Sequence, residues 1–176
     1  MKPLIICALP RSRTFWLHKY FACYENIDSH HELTAKVDSV QQFFDSLYPP
    51  GKQFINVDAF SVMTFPWEIK EVANLVFIKK DISRCVESTL EVFSEDHWVH
   101  QKGFNYLYTW YEDMYEQYMD NADIVIEYKD LDHDLELLHE FTVEKYNKEI
   151  HKRMIDKVLN VEKQYISFEK FFIWQR

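Results

Sequence analysis

Polar side chains crowd the junction between a short apolar run and an amphipathic stretch near the start of the chain. The segment from Leu9 to Trp16 reads L-P-R-S-R-T-F-W. Guanidinium groups, hydroxyls and the free backbone N–H groups of a helix start are the donors that suit a phosphate or a sulfate. The segment therefore indicates an anion site. The alternative is an arginine-flanked helix start that binds no ligand.

Buried strands and helices are expected to position this loop. Strands are predicted over residues 4–8, 26–30, 54–58, 75–79 and 123–127. Helices are predicted from Ser12, as the N-cap, to about Tyr24, over 37–48, 66–73, 82–93 and 103–121, and in one or two pieces from Leu131 to about Glu162. Their alternation predicts one α/β domain over residues 1–176, with a parallel sheet covered by helices on both faces. Ligands of such sheets bind beyond the carboxyl ends of the strands.

Glycine and charge restrict the classes of ligand. The chain has two glycines, Gly51 and Gly103, so it contains neither G-x-x-x-x-G-K-[ST] nor G-x-G-x-x-G. The net charge is −9, and residues 61–143 carry six Lys/Arg against eighteen Asp/Glu. Because nucleic acids require contiguous positive surface, we expect no nucleic-acid partner. A small anion remains compatible with a few cations that converge locally.

The cysteines and the hydropathy favour a cytoplasmic protein without a membrane partner. Cys7, Cys23 and Cys85 form no C-x-x-C motif, and all three lie in apolar sequence, so reduced core thiols are expected. No apolar run approaches the roughly 20 residues that cross a bilayer. The short run after the first three residues is also too brief for a signal peptide.

Residues 10–17, P-R-S-R-T-F-W-L, resemble the phosphosulfate loop of the sulfotransferase family, P-[RK]-S-G-T-x-W-L. Arginine at the glycine position resembles short bacterial and viral members with P-R-S-R-T. The resemblance, from residue 4 to about 140, implies a P-loop NTPase-like, three-layer α/β/α fold with a central, mainly parallel five-stranded sheet. It also implies 3′-phosphoadenosine-5′-phosphosulfate (PAPS) as the sulfuryl donor, without a metal. The donor-binding residues it implies in this loop are Arg11, Ser12, Arg13, Thr14, Phe15 and Trp16, the last on the adenine side.

A basic residue and a serine eight positions later hold the donor's 3′-phosphate in this family. Lys80 and Ser88 have that spacing, with lysine in place of the family's arginine and Ile82 in place of its proline. If Asp81 is the helix N-cap, Ser88 follows about two turns later and faces the same side as Lys80. The alternative is a lysine at a strand end and a serine buried in a helix.

The resemblance also suggests where a proton acceptor lies. Bases of the family are histidine or glutamate near the strand ends, and S-H-H-E-L follows the second predicted strand. Glu32 is the first choice and His31 the second, with a pair that merely caps and orders the loop as the alternative. Arg11 would stabilise the departing phosphate. Asp58, at the end of the third strand, either orients the acceptor or caps the next turn.

Several further segments fit a structural role. Residues 122–131 resemble the family's last core strand, and the aromatic run from Phe104 to Tyr111 fits a helix core with some acceptor-lining members. His97 and His100, with Asp96, have a spacing that could bind a divalent metal, but an exposed loop that binds no metal is the favoured interpretation. The family's C-terminal R-K-G segment is missing, so the basic residues near Arg153 either replace it or form a solvated face.

We therefore predict a sulfotransferase that acts on a hydroxyl or amine of a small-molecule or carbohydrate acceptor. Three alternatives stay open: a non-catalytic nucleotide binder, a P-loop-like kinase, and a protein-interaction module built on the aromatic helices. The kinase is disfavoured because no lysine–serine phosphate loop accompanies the arginines. The interaction module would leave the arginine loop unexplained.

Overall fold

A computed structural model describes residues 1–155, which contain a five-stranded parallel sheet. Its strands are β1 (Leu4–Ala8), β2 (Ile27–His31), β3 (Gln53–Asp58), β4 (Asn74–Lys79) and β5 (Ile124–Glu127). Their order is β2-β3-β1-β4-β5, and each neighbouring pair is parallel. The predicted α/β class and central five-stranded sheet are confirmed. Every predicted strand lies within one residue of its observed bounds.

Helices connect the strands and cover the sheet. They are α1 (Thr14–Phe21), α2 (Val40–Ser46), α3 (Ser61–Thr64), α4 (Pro66–Val72), α5 (Ile82–Val92), α6 (Trp98–Asn121), α7 (Leu131–Leu138) and α8 (Lys148–Ile155). The helix α6 is broken at Gly103, whose φ of 75° is a conformation that favours glycine. Three 3-10 turns cover Leu33–Ala35, Tyr128–Asp130 and His139–Phe141. The part of the predicted helical tail from residue 156 to Glu162 lies outside the described residues.

Alternating residues of the central strands build two cores, one on each face of the sheet. Leu4 and Ile6 of β1 join a cluster with α1, α7 and α8. Ile5 and Cys7, which point the other way, join a cluster with α2 to α6. This period of two is the geometry of a strand buried on both faces. It explains why β1 is apolar at every position.

The first helix differs from the prediction at both ends. It begins at Thr14 and ends at Phe21, so the assignment of Ser12 as its N-cap is wrong. Arg13 occupies the N-cap position in a left-handed conformation, which delays the first helical turn. The Ser12 hydroxyl is buried and lies 3.6 Å from Sγ of Cys85. The predicted helix over 37–48 is also shorter, because the Ser39 side chain caps α2 by accepting a hydrogen bond from the N–H of Gln42.

Two other expectations need correction. Cys7 and Cys85 are buried free thiols, but Cys23 is exposed because α1 ends before it and the chain turns outward toward β2. His97 and His100 stand at the start of α6 rather than in an exposed loop. The His97 ring stacks on Phe93 at 4.3 Å between ring centroids, which half-buries it. Across residues 1–155, no helix has both the length and the apolar character needed to cross a membrane.

Candidate functional site

The loop between β1 and α1 has an unusual backbone. Arg11 has a φ of 71° and Arg13 a φ of 59°, and the buried Ser12 lies between them. Within residues 1–155, the third non-glycine residue with positive φ is Glu32, which directly follows β2 at the same carboxyl edge of the sheet. Side chains at such angles cost about 1–2 kcal/mol each, and such residues cluster at functional sites. The strain therefore marks this carboxyl edge as a candidate site.

The two predicted phosphate clusters meet at one residue. Nζ of Lys80 donates a hydrogen bond of 2.8 Å to the carbonyl oxygen of Arg11. Nε of Arg11 donates a hydrogen bond of 3.2 Å to Oγ of Ser88. Asp81 is the N-cap of α5, as expected, and its carboxylate accepts a hydrogen bond of 2.9 Å from the N–H of Arg84. The loop after β1 and the start of α5 therefore form one continuous polar surface.

This surface is positively charged although the whole chain is acidic. Burial lowers the pKa of Lys80, and the charges of Arg11, Arg84 and Arg13 lower it further. The three guanidinium charges therefore repel the charge of the Lys80 ammonium group. An anion bound among them would relieve that repulsion. The donor set of guanidinium groups, an ammonium group, a hydroxyl and two helix starts fits a phosphate or a sulfate.

His31 connects this loop to the second strand. Its Nε2 lies 3.0 Å from Oγ1 of Thr14 and 3.8 Å from a carboxylate oxygen of Glu32. Phe15 packs edge-on against the His31 ring at 5.4 Å between centroids. Burial lowers the pKa of His31 to about 4, so the imidazole is neutral at pH 7. A neutral imidazole can accept a proton, and here it stands directly beside the loop.

Glu32 is buried one residue further along. The residue is 4% exposed, and its Oε2 accepts a hydrogen bond of 3.3 Å from the N–H of Ala59. Burial, and then the negative charge of Asp58, raise the pKa of Glu32 well above its ordinary value. Glu32 occupies the N-cap of the 3-10 turn but makes no side-chain capping bond. The Glu32 side chain therefore does not cap the 3-10 turn, but its bond to Ala59 orders the turn after β3, and its role as a base stays a prediction.

Asp58 organises the turn that follows β3. One carboxylate oxygen accepts hydrogen bonds of 2.5 Å and 3.1 Å from the N–H groups of Phe60 and Ser61. The other accepts bonds from Asn56 and from both the hydroxyl and the N–H of Thr34. These contacts match the capping alternative. A role in orienting an acceptor stays a prediction.

Comparisons with known proteins show a likeness in structure. No protein-family model matches the chain, and no curated protein does. Among solved structures, mouse sulfotransferase SULT7A1 complexed with PAP is similar, with a TM-score of 0.56 and 12% sequence identity. The likeness covers 87% of this chain and 62% of that protein's chain. The chain has a sulfotransferase-like fold.

Within this sulfotransferase-like fold, the segment that follows β5 contacts both Arg13 and Lys80 of the cationic surface. Nη1 of Arg13 lies 3.0 Å from both carboxylate oxygens of Asp132, in the first turn of α7. The Tyr128 ring is 5.7 Å from the guanidinium carbon of Arg13 and 4.7 Å from Nζ of Lys80. Sequence reasoning treated this segment as structural and missed these contacts. The only signal was a tyrosine and an aspartate just beyond the last strand.

Trp16 is buried between α1 and α8, and its place on the adenine side stays a prediction. It is 7% exposed and stacks on Tyr20 with 5.6 Å between ring centroids. Its Nε1 donates a hydrogen bond of 2.9 Å to the carbonyl oxygen of Met154. The indole therefore fixes α1 against α8, with the guanidinium of Arg13 5.8 Å from its ring. On α8, Lys152 and Arg153 are exposed, as a solvated face would be.

No metal site is associated with these residues. In the part of the chain that the structure describes, no group of three or more His, Cys, Asp or Glu side chains is arranged to hold a metal ion.

The aromatic residues of α6 divide as helical spacing predicts. Tyr111 and Tyr118 are buried, and Phe104 and Tyr106 are exposed.

We expect His31 to make the protein less stable in mild acid. Its pKa is 6.5 when unfolded and about 4 when folded. The stabilisation from the neutral ring is thus complete above pH 6.5 and is lost as the pH falls toward 4. Between pH 7 and 4.5 this amounts to about 2 kcal/mol of unfolding free energy. Urea unfolding of the wild type and of His31→Gln at both pH values measures it.

His31→Gln should remove the part of the acid-induced loss of unfolding free energy that is due to His31. His133→Gln is the matched control, because His133 is an exposed histidine on α7. It should keep the full loss seen in the wild type. An equal loss in His31→Gln and the wild type would show that His31 is not protonated on unfolding in this range.

Proposed function

We propose that the chain binds PAPS and transfers its sulfuryl group to a hydroxyl or amine of a small-molecule or carbohydrate acceptor. The observation that carries the proposal is the meeting of two cationic loops at Arg11, which contacts both Lys80 and Ser88. The likeness to a sulfotransferase described as complexed with PAP supports it. Because the chain spans only 62% of that protein, the activity itself is part of the proposal.

The residues divide into two anion-binding groups. Arg11, Arg13 and Thr14 surround the start of α1, where the free N–H groups favour the 5′-phosphosulfate. Lys80 and Ser88 adjoin the start of α5 and would hold the 3′-phosphate. When bound, PAPS supplies an activated sulfuryl group. Arg11 lies between the two groups and would neutralise charge on the departing phosphate.

Glu32 is our first choice for the group that takes the acceptor's proton, and His31 is the second. Burial raises the pKa of Glu32 toward the pH range in which a general base is most effective. His31 is closer to the loop, through its contact with Thr14. Asp58 would shape the acceptor side indirectly, by fixing the turn that contains Phe60 and Ser61.

A second candidate function is nucleotide binding without transfer. Its support is that Glu32 and Asp58 are 4% and 1% exposed, and that their oxygens accept hydrogen bonds from the chain itself. The cationic surface would be the same in both functions. A transfer assay with radiolabelled PAPS and a panel of phenols, sugars and amines distinguishes them, because only the enzyme would label an acceptor.

We expect 3′-phosphoadenosine-5′-phosphate (PAP), the donor product, to raise the melting temperature without magnesium. A ligand present at 100 times its dissociation constant stabilises the folded state by about 2.7 kcal/mol. For a chain of this size, that corresponds to a shift of roughly 5–10 °C. Differential scanning fluorimetry with EDTA present measures the shift.

Two companion ligands define the outcome. Adenosine, which has no phosphate, should give no shift at the same concentration. A shift with ATP that requires magnesium would instead favour a kinase. If millimolar PAP left the melting temperature unchanged, both the transferase and the nucleotide binder would be contradicted.

A further inference from the structure

Arg84 lies on the same face of α5 as the residues at the candidate site. Arg84 and Ser88 are four residues apart within α5 and are therefore neighbours on the helix surface, and Lys80 directly precedes the N-cap residue Asp81. Asp81 caps the helix, and its carboxylate oxygen Oδ1 accepts the backbone N–H of Arg84. Because Ser88 contacts Arg11, Arg84 is placed one turn from the point where the two loops meet.

Three of the cations on this side of the site have no ion-pair partner among residues 1–155. Arg13 forms an ion pair with Asp132, but none of the ion pairs within residues 1–155 involves Arg11, Lys80 or Arg84. The charge of Arg84 acts on Lys80 and contributes to lowering its pKa, after burial and Arg11. Three cations without an ion pair among the described residues therefore lie near the start of α5, in a chain of net charge −9, and one of them, Arg11, contacts the Ser88 hydroxyl.

We propose that Arg84 binds the 3′-phosphate of a nucleotide 3′,5′-bisphosphate, together with Lys80 and Ser88. This inference rests on the proposed function and adds a residue to the same site. A lysine offers a single point charge, whereas an arginine offers a planar fork that bonds two phosphate oxygens at once. Arg84 would therefore supply the bidentate contact that Lys80 cannot make, and would favour nucleotides with a 3′-phosphate over those without one.

Isothermal titration calorimetry with PAP and with adenosine 5′-monophosphate tests this role. Arg84→Gln should weaken PAP binding about 10- to 100-fold, the range for loss of charge-assisted hydrogen bonds. It should leave the affinity for the monophosphate within about twofold. Arg84→Lys should fall between the wild type and Arg84→Gln. A merely structural change would affect both ligands together.

Lys52→Gln is the matched control, because it removes the same charge from the turn before β3. That turn lies at the amino ends of the strands, whereas the candidate site lies at their carboxyl ends. Lys52→Gln should bind both ligands as the wild type does. Equal affinities of Arg84→Gln and the wild type for PAP would overturn the inference, as would equal weakening of both ligands. If the wild type bound PAP no more tightly than the monophosphate, no 3′-phosphate site would exist. If it bound neither, the proposed function itself would fail.

Discussion

Replacing Arg11 with glutamine is expected to weaken PAP binding about 100-fold. Arg11 belongs to the loop proposed for the 5′-phosphosulfate, and its Nε contacts Ser88, which is proposed for the 3′-phosphate, so its guanidinium lies between the two proposed phosphate positions. Two charge-assisted hydrogen bonds, at about 1.5 kcal/mol each, together contribute about 3 kcal/mol, which corresponds to that factor. Calorimetry measures the loss of affinity, and the melting temperature without ligand reports whether the variant is folded.

Two further variants sharpen this result. Lys52→Gln is the matched control here too, because Lys52 is an exposed cation in the turn before β3, at the opposite end of that strand from the loop. It should bind PAP as the wild type does. Arg11→Lys keeps the charge but loses the planar fork, so it should lie between the wild type and Arg11→Gln. Full affinity in a folded Arg11→Gln protein would remove Arg11 from the site.

Replacing Glu32 with glutamine is expected to lower turnover by about 10²- to 10⁴-fold and to spare PAP binding. That range is the usual contribution of a positioned general base. Glutamine can still accept the hydrogen bond from the N–H of Ala59, so the local structure should persist. Burial and Asp58 raise the pKa of Glu32. Wild-type turnover should therefore increase with pH through a range well above the ordinary pKa of glutamate.

The pH profile distinguishes Glu32 from His31. The pKa of His31 is about 4, so a rate that depended on His31 would already be constant above pH 5. Steady-state rates of the wild type, Glu32→Gln and His31→Gln between pH 5 and 9 measure the difference. Wild-type turnover in Glu32→Gln would contradict the assignment, and a wild-type rate that is constant above pH 5 and is lost in His31→Gln would move the role to His31.

The folded state of Glu32→Gln provides its own control. Because the folded pKa of Glu32 is raised, its contribution to stability is present at low pH and is lost as the pH rises through that pKa. Glutamine does not ionise and avoids this loss. The variant should therefore be at least as stable as the wild type at neutral pH, so that reduced turnover would reflect chemistry.

The sheet could be predicted because its strands are short, apolar and buried on both faces. The run from Leu4 to Ala8 has no helical period, and its alternate side chains fill two separate cores. The backbone of the following loop could not be predicted in this way. Positive φ at Arg11 and Arg13 depends on the contacts around the loop, and no pattern of residue types signals it.

The contacts of Arg13 show a second limit of sequence reasoning. Arg13 and Asp132 are 119 residues apart, and they meet because β1, β4 and β5 are successive neighbours in the sheet. The periodicity of a segment predicts a strand but not its place in the sheet. The residues at the far end of β5 could therefore not be assigned to the site before the strand order was known.

The left-handed backbone at Arg11, Arg13 and Glu32 links the candidate site to the evolution of the chain's stability. Glycine would adopt each of these conformations without a steric cost, so three single substitutions are open that would relax the fold. Each would also delete a charged group from the candidate site. A lineage selected only for thermal robustness would drift toward glycine at these positions, and one selected for the activity would keep the strained residues.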